Sequence, residues 1–347
     1  MSSKPIRQRA RFAERIYRCL LLAHPRAFRE SYGQEMIQTF RDCYRDAHEQ
    51  GGAMGVARLW AGLLHDLAVA GATHRLRALV ARFQRLFAPE PQHLRFSGIP
   101  AFEVALRTDI GRVRERNEDC GTYVIPEDAE TFAGKGALFV IADGMGGHAM
   151  GDIASDIAVR TVREAYYQHS EGDIAAALTA AIREAHAAIQ RQAPPDVVMG
   201  STCVAAVIQG ETAYVANIGD SRAYLVRDGQ IRQISRDHSL VAELVRAGLL
   251  TEEQARTHEQ RNLIYRSLGR AGDVEVDLFT EQVRDGDILV LCSDGLSALV
   301  EDDELRAVVE TCEPEESVRT LIERANGRGG PDNITAVVAR VSRYRSS

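Results

Sequence analysis

The stretch LFVIADGMGGHAMGD, Leu138 to Asp152, constrains this chain more than any other. An unbroken apolar run, Leu138 to Ala142, leads straight into Asp143 and then into glycines at 144, 146 and 147. A short apolar run of this kind reads as a strand buried in the core. An isolated carboxylate at the end of a buried strand is strongly unfavourable unless something pairs with it. The chain must therefore bring a partner to Asp143.

Candidates recur along the sequence. DILVLCSDGL repeats the pattern, an apolar run followed by Asp294-Gly295 and a helix start. GGPDNITAVVARV places Asp332 in a Gly/Pro turn before a strand, and TAYVANIGDSRAYLV places Asp220 in a turn between two strands. RTDIGRVRERNEDCGTYV sets Glu118-Asp119 between strands. Each site alone has an ordinary explanation, because Asp-Gly is a common turn and Asp caps helices. Asp294, for one, could simply cap the helix that follows. The set is harder to explain that way. Clustered carboxylates cannot all ionise without a compensating cation. All-oxygen ligand sets select hard ions, Mg²⁺ or Mn²⁺. Gly144 lets the backbone approach closely, so its carbonyl is a further candidate ligand.

The 347 residues suggest about two domains. The net charge of −7 conceals an asymmetry. Residues 1–95 carry 16 Lys/Arg against 8 Asp/Glu, whereas the remainder carries 26 against 41. Two domains with different solvated surfaces would explain this, and so would a basic prefix that docks something acidic beside a body that gathers cations. Six cysteines are scattered without a CxxC pair, which argues against a zinc ribbon or disulfide scaffold and for a reducing compartment. No secretory h-region follows the amino terminus. LWAGLLHDLAVAGA is interrupted by His65 and Asp66 and is too short to span a bilayer. A cytoplasmic protein is expected, with peripheral contact at the inner face of a membrane as an option for the prefix.

Residues 1–87 read as a helical prefix, broken at Pro25 and at Gly51-Gly52. HRLRALVARFQRLFA is a basic amphipathic helix that packs on its own bundle or meets a partner or membrane surface. HPRAFRESYGQEMIQTFRD resembles the helical segment that precedes some bacterial membrane permeases. Residues 88–100 are proline-bearing and aperiodic, a linker. From residue 101 to 343 short apolar runs alternate with turns, and two long helical patterns follow the glycine loop. That order predicts α+β layering. Arg227-Asp228-Gly229-Gln230 is a hairpin signal.

A nucleotide-binding alternative exists, since Gly144-Met145-Gly146-Gly147-His148-Ala149 matches GxGxxG/A and Glu164 lies about twenty residues on. Glu164 falls in mid-helix, however, and the motif is not at a first βα turn. No nucleic-acid partner is expected. Cys292 reads as strand packing, and no CxxxxxR loop is present.

In family order, the motifs TDIGRVRERNED, ADGMGGH, GSTCVAAVI, NIGDSRAYLVRDG, DHSLV, LCSDGL and GGPDNIT resemble those of the metal-dependent protein phosphatases (PPM, type 2C Ser/Thr phosphatases), in particular the compact bacterial ones. The resemblance covers about residues 101–343 and implies a four-layer α-β-β-α sandwich of two antiparallel sheets flanked by helices, behind an all-α amino-terminal segment. It implies that Asp143 bridges two Mn²⁺ or Mg²⁺ ions, that Asp294 and Asp332 complete the first site, and that Glu118 and the Gly144 carbonyl serve the second. Asp119 would orient coordinated waters, and Asp220 with Asp294 would hold a third, looser ion. Arg114 would bind the substrate phosphate, being placed four residues before Glu118 as in the family, with a fork that suits a phosphate dianion.

The implied activity is direct hydrolysis of phosphoserine and phosphothreonine by a metal-activated water, opposing bacterial Ser/Thr kinases. Met145 stands where animal members carry a histidine, which leaves His148 and His258 as the nearest candidate acids. ELVRAGLLTEEQARTHEQRNLIYRSLG resembles the family's flap, with Arg246, Arg256, Arg261 and Arg266 able to read acidic substrates; a solvated helical excursion is the plainer reading. A non-catalytic scaffold acting through the prefix is the rival function, and an autoregulatory or localising prefix on an active enzyme is a third.

Overall fold

The computed structural model describes residues 101–146, 150–169, 172–194 and 197–342, together with Ile37, which is buried in a helix. The other prefix and linker expectations lie outside the described residues. Two compact units appear. One comprises the stretches that end at His238 and resume at Arg266; the other includes Ser239–Tyr265.

In the first unit two antiparallel sheets are stacked. The first sheet has the order β1 (Ala101–Asp109), β11 (Ile334–Ser342), β10 (Ile288–Cys292), β7 (Arg222–Arg227), β8 (Gln230–Gln233). The second runs β2 (Asp119–Val124), β3 (Ala137–Gly146), β5 (Cys203–Gln209), β6 (Thr212–Ile218), β9 (Asp277–Gln282), with β4 (Met199–Ser201) added to β3. Helix α1 (Ala129–Lys135) lies between β2 and β3 in sequence, and the short helix α6 (Asp294–Ser297) follows β10.

The apolar run of β3 is unbroken because both of its faces are covered. Leu138, Val140 and Ala142 pack with α2 (Gly151–Gln168) and α3 (Ile174–Gln192). Phe139 and Ile141 enter the core between the sheets, against Leu225, Leu289, Leu291, Val337 and Ala339. On the far side Tyr224, Val226, Val290 and Val338 pack with α7 (Asp302–Thr311) and α8 (Pro314–Gly327). Each fully buried aliphatic side chain contributes about 1.5–3 kcal/mol. These three apolar clusters separate four layers, α-β-β-α, as the resemblance implied.

The helices use ordinary signals. Asp173 caps α3 by accepting from the Ala175 and Ala176 amides, and Pro314 opens α8. The expected hairpin joins β7 to β8, with Arg227 opposite Gln230 and left-handed backbone at Asp228 and Gly229. Glu164 sits inside α2, away from any strand end, and the sheets are antiparallel, so the dinucleotide reading fails.

One boundary differs from expectation. β3 does not stop at Asp143. It continues to Gly146, where Gly144 and Gly146 pair with Ser201 and Met199 of β4. The carboxylate therefore projects from within a strand that changes partners, which fixes its backbone on both sides.

In the second unit, α4 (Leu240–Arg246) and α5 (Glu252–Thr257) form the expected helical excursion. Its two stems meet: the Leu240 amide donates to the Leu263 carbonyl at 2.9 Å, and Ser239 bridges to Ile264. Thr251 and Gln254 close a reciprocal cap on α5.

Candidate active site

Asp119 and Asp143 face each other across the β2–β3 ladder. Asp294 is reached from β10, one residue beyond Ser293, and its charge acts on Asp143. Asp332 precedes β11. Gly295 brings these two turns together, because a Cβ there would collide with the Asn333 carbonyl oxygen. Gly144 does the same for Glu118: its amide donates to the Glu118 carbonyl at 3.0 Å, and a Cβ would strike the carbonyls of Gly151 and Glu118. Asp220 lies in the β6–β7 turn, where the adjacent Ser221 hydroxyl bonds Thr202 at 2.7 Å. Thr202 in turn accepts from the Asp143 amide at 2.9 Å. All five carboxylate sites singled out in the sequence thus converge on one end of the stacked sheets.

Neutral polar residues brace the cluster. Asn333 is buried and holds the 110–118 loop at three points: its Nδ2 donates to the Ile110 and Arg116 carbonyls, each at 2.9 Å, and its Oδ1 accepts from the Glu118 amide at 2.8 Å. The Ser293 hydroxyl donates to Asp119 Oδ2 at 2.7 Å and accepts from the Thr335 amide at 3.0 Å. Sequence reasoning did not single out Asn333, Ser293 or Thr202. They sat inside quoted motifs, but their partners are remote in sequence.

The electrostatics are those of crowded carboxylates. Burial, with Asp294 and Asp332 nearby, pushes Asp119 up to about 7 against the bonds from Ser293 and Thr335. Burial and the charges of Asp119, Asp294, Asp220 and Asp332 raise Asp143 well above the usual range. Asp143 still keeps part of its surface open to solvent, so it is enclosed by protein yet reachable. Asp220 is raised by burial and by Asp294, and Asp294 by burial and by Asp332. Buried oxygens remain without a hydrogen-bond partner at Asp119 Oδ1, Asp220 Oδ1 and Asp294 Oδ1. Orphaned, mutually repelling carboxylate oxygens are a donor set suited to a hard cation. Among the described residues no three acidic, histidine or cysteine side chains are already closed around one point. Arg114 Nη2 holds Asp332 Oδ2 at 2.7 Å, which ties one carboxylate of the set to a guanidinium.

Of the three arginines in the loop, Arg114 is the one that reaches the cluster; Arg116 lies 3.9 Å from Asp152 instead. Arg114 is 46% exposed and so remains accessible. Glu118 lies against Gly151 at the start of α2, raised by burial and lowered by Arg114. His148 lies outside the described residues. The His258 Nδ1 accepts from the Gln260 amide at 3.1 Å, a local turn contact. Arg266 is not a substrate reader. It is buried, pairing with Asp277 at 2.7 Å and Glu275 at 3.0 Å. Burial pushes the Cys292 thiol up to about 12, so it is no thiolate nucleophile at neutral pH.

A sandwich with buried, unneutralised carboxylates at one end and an accessible arginine beside them defines a cation-dependent enzyme acting on an anionic substrate. The Protein phosphatase 2C pattern matches residues 127–329, and the chain belongs to that family. It is 38% identical over 240 residues to the serine/threonine phosphatase Stp of Listeria innocua, covering 67% of this chain and 93% of that one. The crystal structure of the Mycobacterium tuberculosis serine/threonine phosphatase PstP is 40% identical with a TM-score of 0.62, over 70% of this chain and 99% of that one. Another structure, the PstP catalytic domain in complex with two manganese ions, is 39% identical with the same TM-score of 0.62, over 70% and 99%. The matched span begins after Glu118-Asp119 and ends before Asp332, so those three residues join the site by geometry.

Proposed function

We propose that this chain is a protein phosphatase that hydrolyses phosphoserine and phosphothreonine, with two Mn²⁺ or Mg²⁺ ions held at the carboxylate cluster. The observation that carries this reading is the gathering of Asp119, Asp143, Asp220 and Asp294 with three orphaned buried oxygens among them. Asp143 would bridge the two ions, Asp294 and Asp332 would serve one, and Glu118 with the Gly144 carbonyl the other; Asp220 with Asp294 would hold a weaker third. When bound, the ions supply Lewis acidity that brings the pKa of a water toward neutrality.

The protein's own groups position the reaction. Arg114 leaves Asp332 to take two phosphate oxygens in its fork and to neutralise charge that grows in transfer. Asp119, fixed at Oδ2 by Ser293, offers its free Oδ1 to orient the attacking water. The leaving Ser/Thr oxygen departs opposite that water, in line. All the carboxylates that a scaffold could dispense with are retained, which favours the enzyme over the non-catalytic reading.

The substrates we assign are phosphoproteins made by Ser/Thr kinases. Residues 1–87 are proposed as a regulatory or localising module at the cytoplasmic membrane face. The test is hydrolysis of a phosphothreonine peptide with and without Mn²⁺, for wild type and Asp143→Ala. Metal-dependent turnover lost in the variant is expected; wild type and a form lacking residues 1–95 both inert with Mn²⁺ would overturn the reading.

A further inference from the structure

The excursion Ser239–Tyr265 leaves the body at His238 and returns at Arg266, and these two flanking residues meet in one buried cluster. His238 and Gly219 bond reciprocally. The His238 amide donates to the Gly219 carbonyl at 2.9 Å, and the Gly219 amide donates to His238 Nδ1 at 3.0 Å. A backbone N–H can only donate, so Nδ1 carries no proton. The neutral ring therefore bears its hydrogen on Nε2, which lies 3.1 Å from Asp277 Oδ2. Arg266 Nη1 stands 3.2 Å from the same Nε2, but two donors cannot bond each other. Arg266 donates instead to Asp277 Oδ1 at 2.7 Å and to Glu275 Oε2 at 3.0 Å. Burial and the Arg266 charge keep the imidazole neutral, opposed by Asp277.

Gly219 directly precedes Asp220. Its left-handed backbone is set against Thr202, the residue that accepts from the Asp143 amide. One imidazole thus touches the Asp220 turn with one nitrogen and the carboxylate that anchors Arg266 with the other.

We propose that His238 is a positioning residue, held as the Nε2–H tautomer, that ties the Asp220 turn to Asp277 and Arg266, so that the turn and the two residues flanking the 239–265 excursion are ordered together. The proposal rests on the phosphatase reading only where Asp220 is taken as a cation ligand; the mechanical tie stands on its own.

Two half-replacements separate the bonds. His238→Asn keeps an acceptor at the Nδ1 position and loses the reach to Asp277. His238→Gln keeps a donor for Asp277 and loses the Nδ1 acceptor. Hydrogen–deuterium exchange on the full chain, read at residues 217–221 and 239–265, reports the tie without any turnover. With His238→Gln we expect faster exchange at 217–221 and a rise of about tenfold in half-saturating Mn²⁺ for phosphopeptide hydrolysis. With His238→Asn we expect faster exchange at 239–265, while 217–221 and the Mn²⁺ requirement stay near wild type. Equal loosening of both segments by both variants indicates a merely structural histidine and overturns the proposal, as does no change in either. Asp277→Asn provides a second handle if a His238 variant fails to fold: exchange at 239–265 must rise, and unchanged protection there also overturns it. If wild type and the form lacking residues 1–95 both show no turnover with Mn²⁺, the phosphatase reading fails while the exchange data still decide the tie.

Discussion

At 2.7 Å the Arg114–Asp332 pair is the tightest contact of any group assigned to substrate in this protein. On the proposed assignment a phosphate dianion would compete for the same guanidinium, and a cation for the same carboxylate. Replacing Arg114 with Ala should lower kcat/KM for a phosphothreonine peptide about a hundredfold. Arg114→Lys should restore little of it, because an ammonium cannot reproduce the two-pronged contact. Steady-state kinetics at saturating Mn²⁺ checks both. Asn333 braces the loop that carries Arg114 and Glu118. Asn333→Ala leaves the Ile110 and Arg116 carbonyls and the Glu118 amide without their partner. The expected loss is about 1–3 kcal/mol of unfolding free energy in urea, with faster amide exchange at Glu118.

Strands and turns carry these residues to their places, and here the sequence was partly readable. The apolar run of β3, the β7–β8 hairpin and the Asp294 turn were plain because each signal is local: an unbroken run, a two-residue turn, an Asp-Gly pair. β4 was not, since Met199–Ser201 is too short to show any period. The continuation of β3 past Asp143 depends on that partner and was hidden with it. Asn333 and Ser293 acquire their roles from chain segments distant in sequence, which no window of neighbouring residues contains. The Gly295 contact is of the same kind. Gly295→Ala would drive a methyl group into the Asn333 carbonyl. We expect a cost of about 1–3 kcal/mol from the forced shift, together with weaker Mn²⁺ activation as Asp294 moves from Asp332. Thermal denaturation and a Mn²⁺ titration of turnover would show the pair of effects; full activation with unaltered stability would refute the assigned role.

For the molecule as a whole, the carboxylate cluster links stability to pH and cations. Asp119 is raised from an ordinary 3.8 to about 7, and Asp143, Asp220 and Asp294 are raised as well. Between those limits the folded chain binds more protons than the unfolded one, so metal-free stability falls as pH rises from about 4 toward 7. Cations that bind the folded state reverse this loss, contributing about 2.7 kcal/mol at a hundred times Kd. Mn²⁺ should therefore raise Tm more at pH 7.5 than at pH 5, as scanning fluorimetry with and without chelator would measure; an equal shift at both values would contradict the electrostatic account. The pairing of β1 with β11, from Ala101 opposite Ser342 to Asp109 opposite Ile334, has a consequence for synthesis. β11 fills the gap between the first strand of its sheet and β10, and Asp332 stands at its entrance. A ribosome must release nearly all of this span before the sheet can close, so every shorter nascent chain lacks both an internal strand and the Asp332 carboxylate. The sheet and the carboxylate cluster are therefore completed by the same late step of synthesis.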